Sequence, residues 1–508
     1  MAASHLVFNS AEVRFIERDH AATHDGDCFD LMLKAGQGLY RRLMKKREKH
    51  PGAVWVFCGK GNNGGDGYVV AACLKSAGIE HRVFAVGEPH QGGEAAQAYV
   101  LYLHMGGHVE YALPDKVSVK PGIIVDALLG TGIKSAPSSP VDEWILFINR
   151  LKAYTIAVDI PSGANADTGA VAGDCVRADL TVCMLTWKPG LLTGEAVDYT
   201  GKTVLEKLGV DTQPYFGHLQ EEVENASPLP VLRRTYEDIR EDLPLRQPSA
   251  NKGDNGKVLI VGGSRGYGGA ALMAAMGALR AGAGLVKVAL DPSNVTALNA
   301  RLPEAMTVDS DNEEALVQAL DWADVVALGP GLGTTARSRA LFNLVESCDL
   351  PLIYDADALN LLSLQNSFCA HRILTPHPGE AARLLGCKVS DINGDRLMAA
   401  RALQERFGGV VLLKGAGSVI CDGRTLTIIQ EGSAAMATGG MGDLLTGITV
   451  ALVAEGLTLS TALTCAACVH GKAGASAGEE GGVIGTTVSD LLPYVRALVN
   501  GVAETGKA

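Results

Sequence analysis

Short runs of apolar residues separated by helix-length segments recur along both halves of this chain, and few architectures accept that alternation. In the first half the runs are Ala53 to Cys58, Arg82 to Val86, Gly122 to Leu129, Tyr154 to Ile160 and Leu180 to Leu185. In the second they are Lys257 to Val261, Val325 to Leu328, Pro351 to Tyr354, Ile373 to Thr375 and Val410 to Lys414. A strand apolar at nearly every position is covered on both faces, as strands inside a parallel sheet are. Alternation with helices then implies doubly wound α/β domains. Ahead of the first run, the capping signal Asn9-Ser-Ala-Glu12, the apolar Val13 and Ile16, and the Phe29 to Leu43 pattern predict two leading helices.

At 508 residues the chain exceeds what one hydrophobic core ordinarily serves, so two large or three small domains are expected. Between Asp211 and Pro248 the sequence turns acidic and weakly periodic, and Pro214, Pro228, Pro230, Pro244 and Pro248 punctuate it as they would a linker. The domains are therefore expected at 1–228 and 229–508. An apolar content of 47% against 20% charged residues predicts sizeable cores, and a net charge of −12 without dense basic clusters argues against nucleic acid and anionic membrane surfaces. The 11 cysteines lie mostly in apolar runs, as Cys58, Cys73, Cys183 and Cys421 do, which predicts reduced thiols. Cys465 and Cys468 have C-x-x-C spacing but sit in an Ala-rich helical pattern and read as packing. Met1 to Asn9 carries no signal-peptide pattern and no apolar run reaches transmembrane length, so the expected location is the cytoplasm.

In a doubly wound sheet the ligand lies beyond the carboxyl ends of the strands, so the loops after the runs are where chemistry is sought. The first half offers Gly59-Lys-Gly-Asn-Asn-Gly-Gly-Asp-Gly67, Asp126-Ala-Leu-Leu-Gly-Thr-Gly132 and Val158-Asp-Ile-Pro-Ser-Gly163. Each could be a simple turn, since Gly, Asn and Asp tolerate turn geometry, but their occurrence after successive strands points to one shared crevice. Their oxygens, unaccompanied by histidine or thiolate, suit a hard monovalent or divalent cation.

In the second half, Thr438-Gly-Gly-Met-Gly-Asp-Leu-Leu-Thr-Gly447 opens a helical run, and a glycine turn of that kind presents bare N–H groups to phosphate. Asp443 inside it is either an acid favoured by the helix dipole or a base acting on a hydroxyl next to the phosphate. Lys414, beside Gly415 and Gly417, suits a phosphate contact. Asp355 and Asp357 read equally as helix caps or as carboxylates holding magnesium through water. His377, fixed between two prolines, is as readily structural as ligand-binding, and Met273 and Met276 read as core.

The G-x-G-D turn at Asp443 and the strand-end glycines before it resemble the ribokinase-like fold. Gly329-Pro-Gly-Leu-Gly333, Asp355 to Asn360, Thr375-Pro-His-Pro-Gly-Glu380, Lys414-Gly415 and Thr438 to Gly447 are similar to the nucleotide-dependent NAD(P)H-hydrate dehydratase family. Asn62-Asn-Gly-Gly-Asp-Gly67, Asp126 to Gly132 and Asp159-Ile-Pro-Ser-Gly163 resemble the NAD(P)H-hydrate epimerase family. Together they resemble the fused bacterial repair enzymes over nearly the whole chain.

The resemblance implies a Rossmann-like three-layer domain followed by a ribokinase-like one. It also implies repair of NADH or NADPH that has taken up water at C6, the first domain interconverting the R and S hydrates and the second dehydrating the S form with a nucleotide. The implied potassium ligands are Asn63, Asp126 and Ser162. Implied substrate contacts in the first half are Asn62, Asn63, Gly64, Gly65, Asp66, Gly130, Thr131, Gly132, Ile133, Lys134, Ser135, Ala136 and Asp159. In the second half Gly333, His377 and Asp443 would meet the hydrate, and Lys414, Gly415, Ala416, Gly417, Ser418 and Gly442 the nucleotide. Asp159 is the implied acid/base of epimerisation and Asp443 the base of dehydration. In the bacterial family the donor is ADP, used with magnesium and leaving AMP and phosphate, although the residues leave ADP and ATP open. The implied partners are these small molecules, in a homo-oligomer. Two other readings fit the motifs: a ribokinase-like kinase of a vitamin alcohol, and a first half that is a binding module without turnover.

Overall fold

The computed structural model describes residues 5–23, 28–365 and 367–502, so residues 1–4, on which the reading of the amino terminus partly rests, lie outside the described residues. The chain divides into two compact units, Met1–Leu232 and Arg233–Ala508.

The first unit opens with the short strand β1 (Leu6–Val7) and the two expected leading helices, α1 (Ser10–Ala22) and α2 (Phe29–Arg47). The Asn9 carboxamide accepts the N–H groups of Ala11 and Glu12, both at 3.0 Å, while Glu12 Oε2 accepts the Asn9 N–H at 2.7 Å, closing a capping box. There follow β2 (Val54–Cys58), α3 (Asn62–Ser76), β3 (His81–Ala85), α4 (Glu94–His104), β4 (Val109–Glu110), β5 (Ile123–Ala127), α5 (Val141–Leu151), β6 (Tyr154–Val158), β7 (Leu180–Met184), α6 (Val197–Thr200), β8 (Lys202–Glu206) and β9 (Val231–Arg234). Seven of the strands form one parallel sheet in the order β4-β3-β2-β5-β6-β7-β8. Alternate residues of β2 bury on opposite faces: Val54, Val56 and Cys58 pack with Leu39 and Leu43 of α2, whereas Trp55 and Phe57 pack with Trp144 and Ile148 of α5. Strand order reverses between β2 and β5, so the loops that follow these strands diverge and leave a crevice.

The second unit contains β10 (Lys257–Val261), α7 (Gly268–Ala281), β11 (Leu285–Leu290), α8 (Val295–Arg301), β12 (Met306–Asp309), α9 (Glu313–Trp322), β13 (Val325–Leu328), α10 (Ala336–Glu346), β14 (Leu352–Tyr354), α11 (Asp357–Leu362), β15 (Arg372–Leu374), α12 (Pro378–Leu385), α13 (Val389–Gly394), α14 (Arg396–Phe407), β16 (Val410–Leu413), β17 (Val419–Cys421), β18 (Leu426–Ile429), α15 (Met441–Ala454), α16 (Leu459–Gly481) and α17 (Val488–Val499). Its strands run β12-β11-β10-β13-β14-β15-β16-β17-β18. The first seven are parallel, as the alternation predicts, but β16, β17 and β18 pair antiparallel. The connections at 414–418 and 422–425 are too short for a crossover, so the chain can only turn back on itself.

The segment expected to be a linker is partly structured. β9 pairs with β1 through Leu6↔Leu232 and Val7↔Val231, and Leu219 belongs to the first core while Tyr236, Ile239 and Leu243 belong to the second. The 11 cysteines are free thiols, and Cys465 and Cys468 are buried in α16 as packing residues. Among the described residues no helix is long and apolar enough to cross a membrane.

Helix α15, which carries Asp443, is held by close contact with α7. A β-carbon on Gly447 would lie 2.0 Å from the Ala274 carbonyl oxygen, and one on Gly277 would lie 2.8 Å from that of Leu444. Backbone cannot yield as a side chain can, so Gly447→Ala is expected to destabilise the protein by about 1–3 kcal/mol through overpacking, read as a lower denaturant midpoint at unchanged slope.

Candidate functional site

The first unit holds a cavity of about 870 Å³ at its crevice, walled in part by Asn62, Asn63, Asp66, Gly130, Thr131 and Gly132, with Asp159 reaching in after β6. The remaining sequence-predicted positions sit differently. Gly64 and Gly65 are buried in the start of α3, where a β-carbon would strike the Gly59 carbonyl at 2.1 Å and Met32 at 2.6 Å, so both serve close packing. Ile133, Lys134, Ser135 and Ala136 continue the loop past Gly132 outside the cavity wall.

Asp126 and Ser162 lie fully buried. Ser162 donates through its N–H to Asp126 Oδ2 at 2.8 Å and through its hydroxyl to Oδ1 at 2.6 Å. Asn63 Nδ2 donates to the Leu129 carbonyl at 2.8 Å, and the Leu129 N–H donates to Ser162 Oγ at 2.8 Å. The expected potassium residues are thus brought together around one loop. Burial pushes the Asp126 carboxyl up to about 6, against the opposing pull of its bonds from Ser162 and Leu128.

Asp159 follows β6 with φ +63, a left-handed conformation that costs energy in any residue with a β-carbon. Its Oδ1 accepts the Met184 N–H at 2.9 Å and the Lys188 ammonium at 2.5 Å. Lys188, only 1% exposed, also donates to the Met184 carbonyl at 2.6 Å. Burial pushes this ammonium down, but Asp159 and Cys183 pull it up more strongly and it stays charged. Burial, then the charges of Asp159 and Glu17, hold Asp66 well above the usual carboxylate range, and burial raises Glu17 of α1 to about 7. Sequence reading missed Lys188. Its signal was a lone cation between an apolar strand and Pro189-Gly190, in a loop of the kind already known to matter.

In the second unit the loops after β13, β14, β15 and β16 meet the amino end of α15. Asp355, 1% exposed, accepts Lys414 Nζ at 2.7 Å and Thr375 Oγ1 at 2.9 Å on Oδ1, and Thr446 Oγ1 at 2.9 Å on Oδ2. It is therefore not a helix cap, one of the two roles expected for it, the cap position being Ala356. Burial opposes its ionisation, yet Lys414 and the two hydroxyls hold it below the ordinary carboxylate range. Asp357 is no cap to α11 either; it accepts the Gly333 N–H at 2.8 Å and Asn360 Nδ2 at 3.3 Å.

Gly442 stands where a β-carbon would lie 3.2 Å from Lys414 Nζ and 3.3 Å from Asp355 Oδ2, so the glycine turn passes directly over the ion pair. Gly440, with φ +91, turns the chain into α15, and Asp443 lies in its first turn. Among the described residues the Asp443 carboxylate has no hydrogen bond or ion pair. Burial and then Asp355 push it up to about 7, while Lys414 pulls the other way. Lys414 is itself held above its ordinary value, burial being outweighed by Asp355 and Glu380.

His377 caps α12, its Nδ1 accepting the Gly379 N–H at 2.9 Å, and its side chain is 51% exposed. Gly415, Ala416, Gly417 and Ser418 form the turn from β16 to β17, closed by Gly415 N–H to Ser418 Oγ at 3.2 Å.

Two family models match the chain. The NAD(P)H-hydrate dehydratase model covers residues 258–496, and the YjeF-related protein N-terminus model covers residues 28–190. The chain is 40% identical to the bifunctional NAD(P)H-hydrate repair enzyme of Escherichia coli K12 over 504 residues, 98% of this chain and 94% of that one. It is 39% identical to the enzyme of that name from Leishmania major, over 98% and 94% of the two chains. Among solved structures, the ADP/ATP-dependent NAD(P)H-hydrate dehydratase of Bacillus subtilis, co-crystallised with ATP and Mg2+, is 27% identical over 53% of this chain and 98% of its own, with a TM-score of 0.48.

Lys414 is the cation that restrains the Asp443 carboxyl. Lys414→Met is therefore expected to move Asp443 above 7, seen as a later carboxyl titration by carbon NMR; an unmoved titration would remove Lys414 from its field.

Proposed function

Because the chain belongs to the family of bifunctional NAD(P)H-hydrate repair enzymes, we propose that Met1–Leu232 interconverts the R and S hydrates of NADH and NADPH, and that Arg233–Ala508 dehydrates the S form while consuming ADP. The observation that carries the dehydration reading is the placement of Asp443: a half-buried, unpartnered carboxylate beside Lys414 and the bare amides of a glycine turn.

In that reading Asp443 accepts the proton of the C6 hydroxyl as its oxygen attacks the terminal phosphorus of ADP, and AMP leaves. The N1 lone pair then expels phosphate from C6, a proton leaves C5, and the dihydronicotinamide is restored. Lys414 and the amides around Gly442 neutralise charge on the transferring group, so positioning and electrostatics supply most of the rate. Magnesium would arrive on the nucleotide phosphates and add positive charge there. Asp355, already committed to Lys414, Thr375 and Thr446, is not free to bind it.

For epimerisation, the hydrate is a hemiaminal, and it opens when the C6 hydroxyl gives up its proton and N1 gains one. Asp159 takes and returns that proton, Lys188 holding its carboxylate in place. Rotation of the freed aldehyde and reclosure give the other epimer. The oxygens of Asn63, Asp126, Ser162 and the Leu129 carbonyl are hard donors that fit potassium, which would supply a fixed positive charge ordering the 126–132 loop. Free thiols in the interior fit a cytoplasmic setting.

Hydrated NADH with magnesium and ADP, ATP or neither tests the assignment. Asp443→Asn is expected to lower dehydration by about 10²–10⁴-fold while epimerisation continues; near-normal dehydration would remove Asp443 as base. Since the base works deprotonated and its carboxyl titrates at about 7, wild-type dehydration should fall about tenfold per pH unit below that point, and a profile flat to pH ~5 would contradict the role.

A further inference from the structure

Helix α1 lies ahead of the stretch matched by the family model at 28–190, yet it forms part of the first unit's cavity wall through Arg14, Glu17 and Arg18. The helix is firmly anchored. Besides its Asn9 cap, Ser10 donates through its N–H to Asp167 Oδ1 at 2.6 Å and through its hydroxyl to Oδ2 at 2.7 Å.

The cavity carries charges of both signs, with Glu94 also in its wall and Glu17 close enough to Arg14 to feel its charge. The carboxylates of Asp66, Asp159 and Glu17 gather around Lys188, whose ammonium is already committed to Asp159 and the Met184 carbonyl. Arg14, Arg18 and Lys60 line the same cavity but are exposed, and among the described residues none of them is in an ion pair. Arg14 and Arg18 share a helix face at i, i+4 spacing, where two cations repel and weaken the helix unless an anion joins them. Arg18 Nε donates to the Arg14 carbonyl at 3.2 Å, which directs its guanidinium along that face. The Lys60 stem lies over Gly87, where a β-carbon would sit 2.5 Å from Cε.

A dinucleotide hydrate has an uncharged ring at one end and a pyrophosphate in its middle. Exposed cations at the rim attract the pyrophosphate, whereas the uncharged ring has no such hold there and can pass inward. We propose that α1 supplies the phosphate-binding rim of the epimerisation site, Arg14 and Arg18 with Lys60 taking phosphate groups of the dinucleotide while the hydrated ring enters toward Asp159. This rests on the epimerase reading above and adds to it the direction in which substrate enters and a helix outside the matched family segment.

The test is steady-state epimerisation of hydrated NADH and hydrated NADPH, the epimers being separated by chromatography. The double variant Arg14→Ala/Arg18→Ala is expected to raise KM by about tenfold or more with kcat unchanged, the loss typical of charge-assisted phosphate contacts. Arg14→Lys/Arg18→Lys should recover part of it, because charge remains while the bidentate fork is lost. A rise for both hydrates assigns the arginines to the pyrophosphate; a rise confined to hydrated NADPH assigns them to its 2′-phosphate. Unchanged KM for both overturns the proposal. The unchanged kcat of epimerisation reports that the first unit of the variant is folded, and a wild-type chain that fails to interconvert epimers would overturn the epimerase reading instead.

Discussion

Each unit sets a lysine against a strand-end aspartate at its candidate site. Lys188 meets Asp159 at 2.5 Å and Lys414 meets Asp355 at 2.7 Å. A buried pair of this kind adds little net stability over apolar packing, but removing one partner strands a charge and costs about 3–5 kcal/mol. The pairs therefore persist for what they do to their surroundings. In the first unit the paired aspartate is the proposed acid/base, held in place by Lys188, and burial followed by its charge drives the neighbouring Asp66 toward neutrality. In the second the paired aspartate stays charged and passive, and its negative charge helps hold Asp443 at about 7. Two carboxylates in one site are thereby driven apart, one kept as an anion and the other poised to exchange a proton.

Much of this was legible in the sequence, and for one reason: strands buried on both faces are apolar at nearly every position, so β2, β5, β6, β7, β10, β13, β14 and β16 stand out from the residues alone. Once a parallel sheet is inferred, the rule that ligands sit beyond strand carboxyl ends brings Asp126, Asp159, Asp355, Lys414 and their loops together without further information. The illegible parts lack that signature. β4 has only Val109 and Glu110, β8 begins with an exposed lysine, and β17 and β18 are short antiparallel pieces that could equally be turns. The 211–248 segment hides its core residues among prolines and acids at no fixed period, which is why it reads as linker although β9 lies within it.

Site residues divided in the same way. Those in glycine-rich loops advertise themselves, since a backbone that must turn sharply needs glycine. Gly64 and Gly65 show the limit of that signal, being glycine because Gly59 and Met32 press on them. Glu17 carries no such signal: it is an ordinary residue of a helix, and only the fold brings it to the cavity. The Asp355 surroundings were misjudged because charge was counted along the chain, where Asp357 is the neighbour, rather than across it, where Lys414, Thr375 and Thr446 are.

The account turns on the hydrate's own oxygen attacking phosphorus under the control of Asp443. The most direct measurement is to prepare the hydrate in heavy-oxygen water, so that the C6 hydroxyl is labelled, exchange it into ordinary water with ADP and magnesium, and weigh the phosphate released in a single turnover. The account predicts that the heavy oxygen leaves in the phosphate. Unlabelled phosphate, while unreacted hydrate recovered from the same turnover still carries its label, would contradict it.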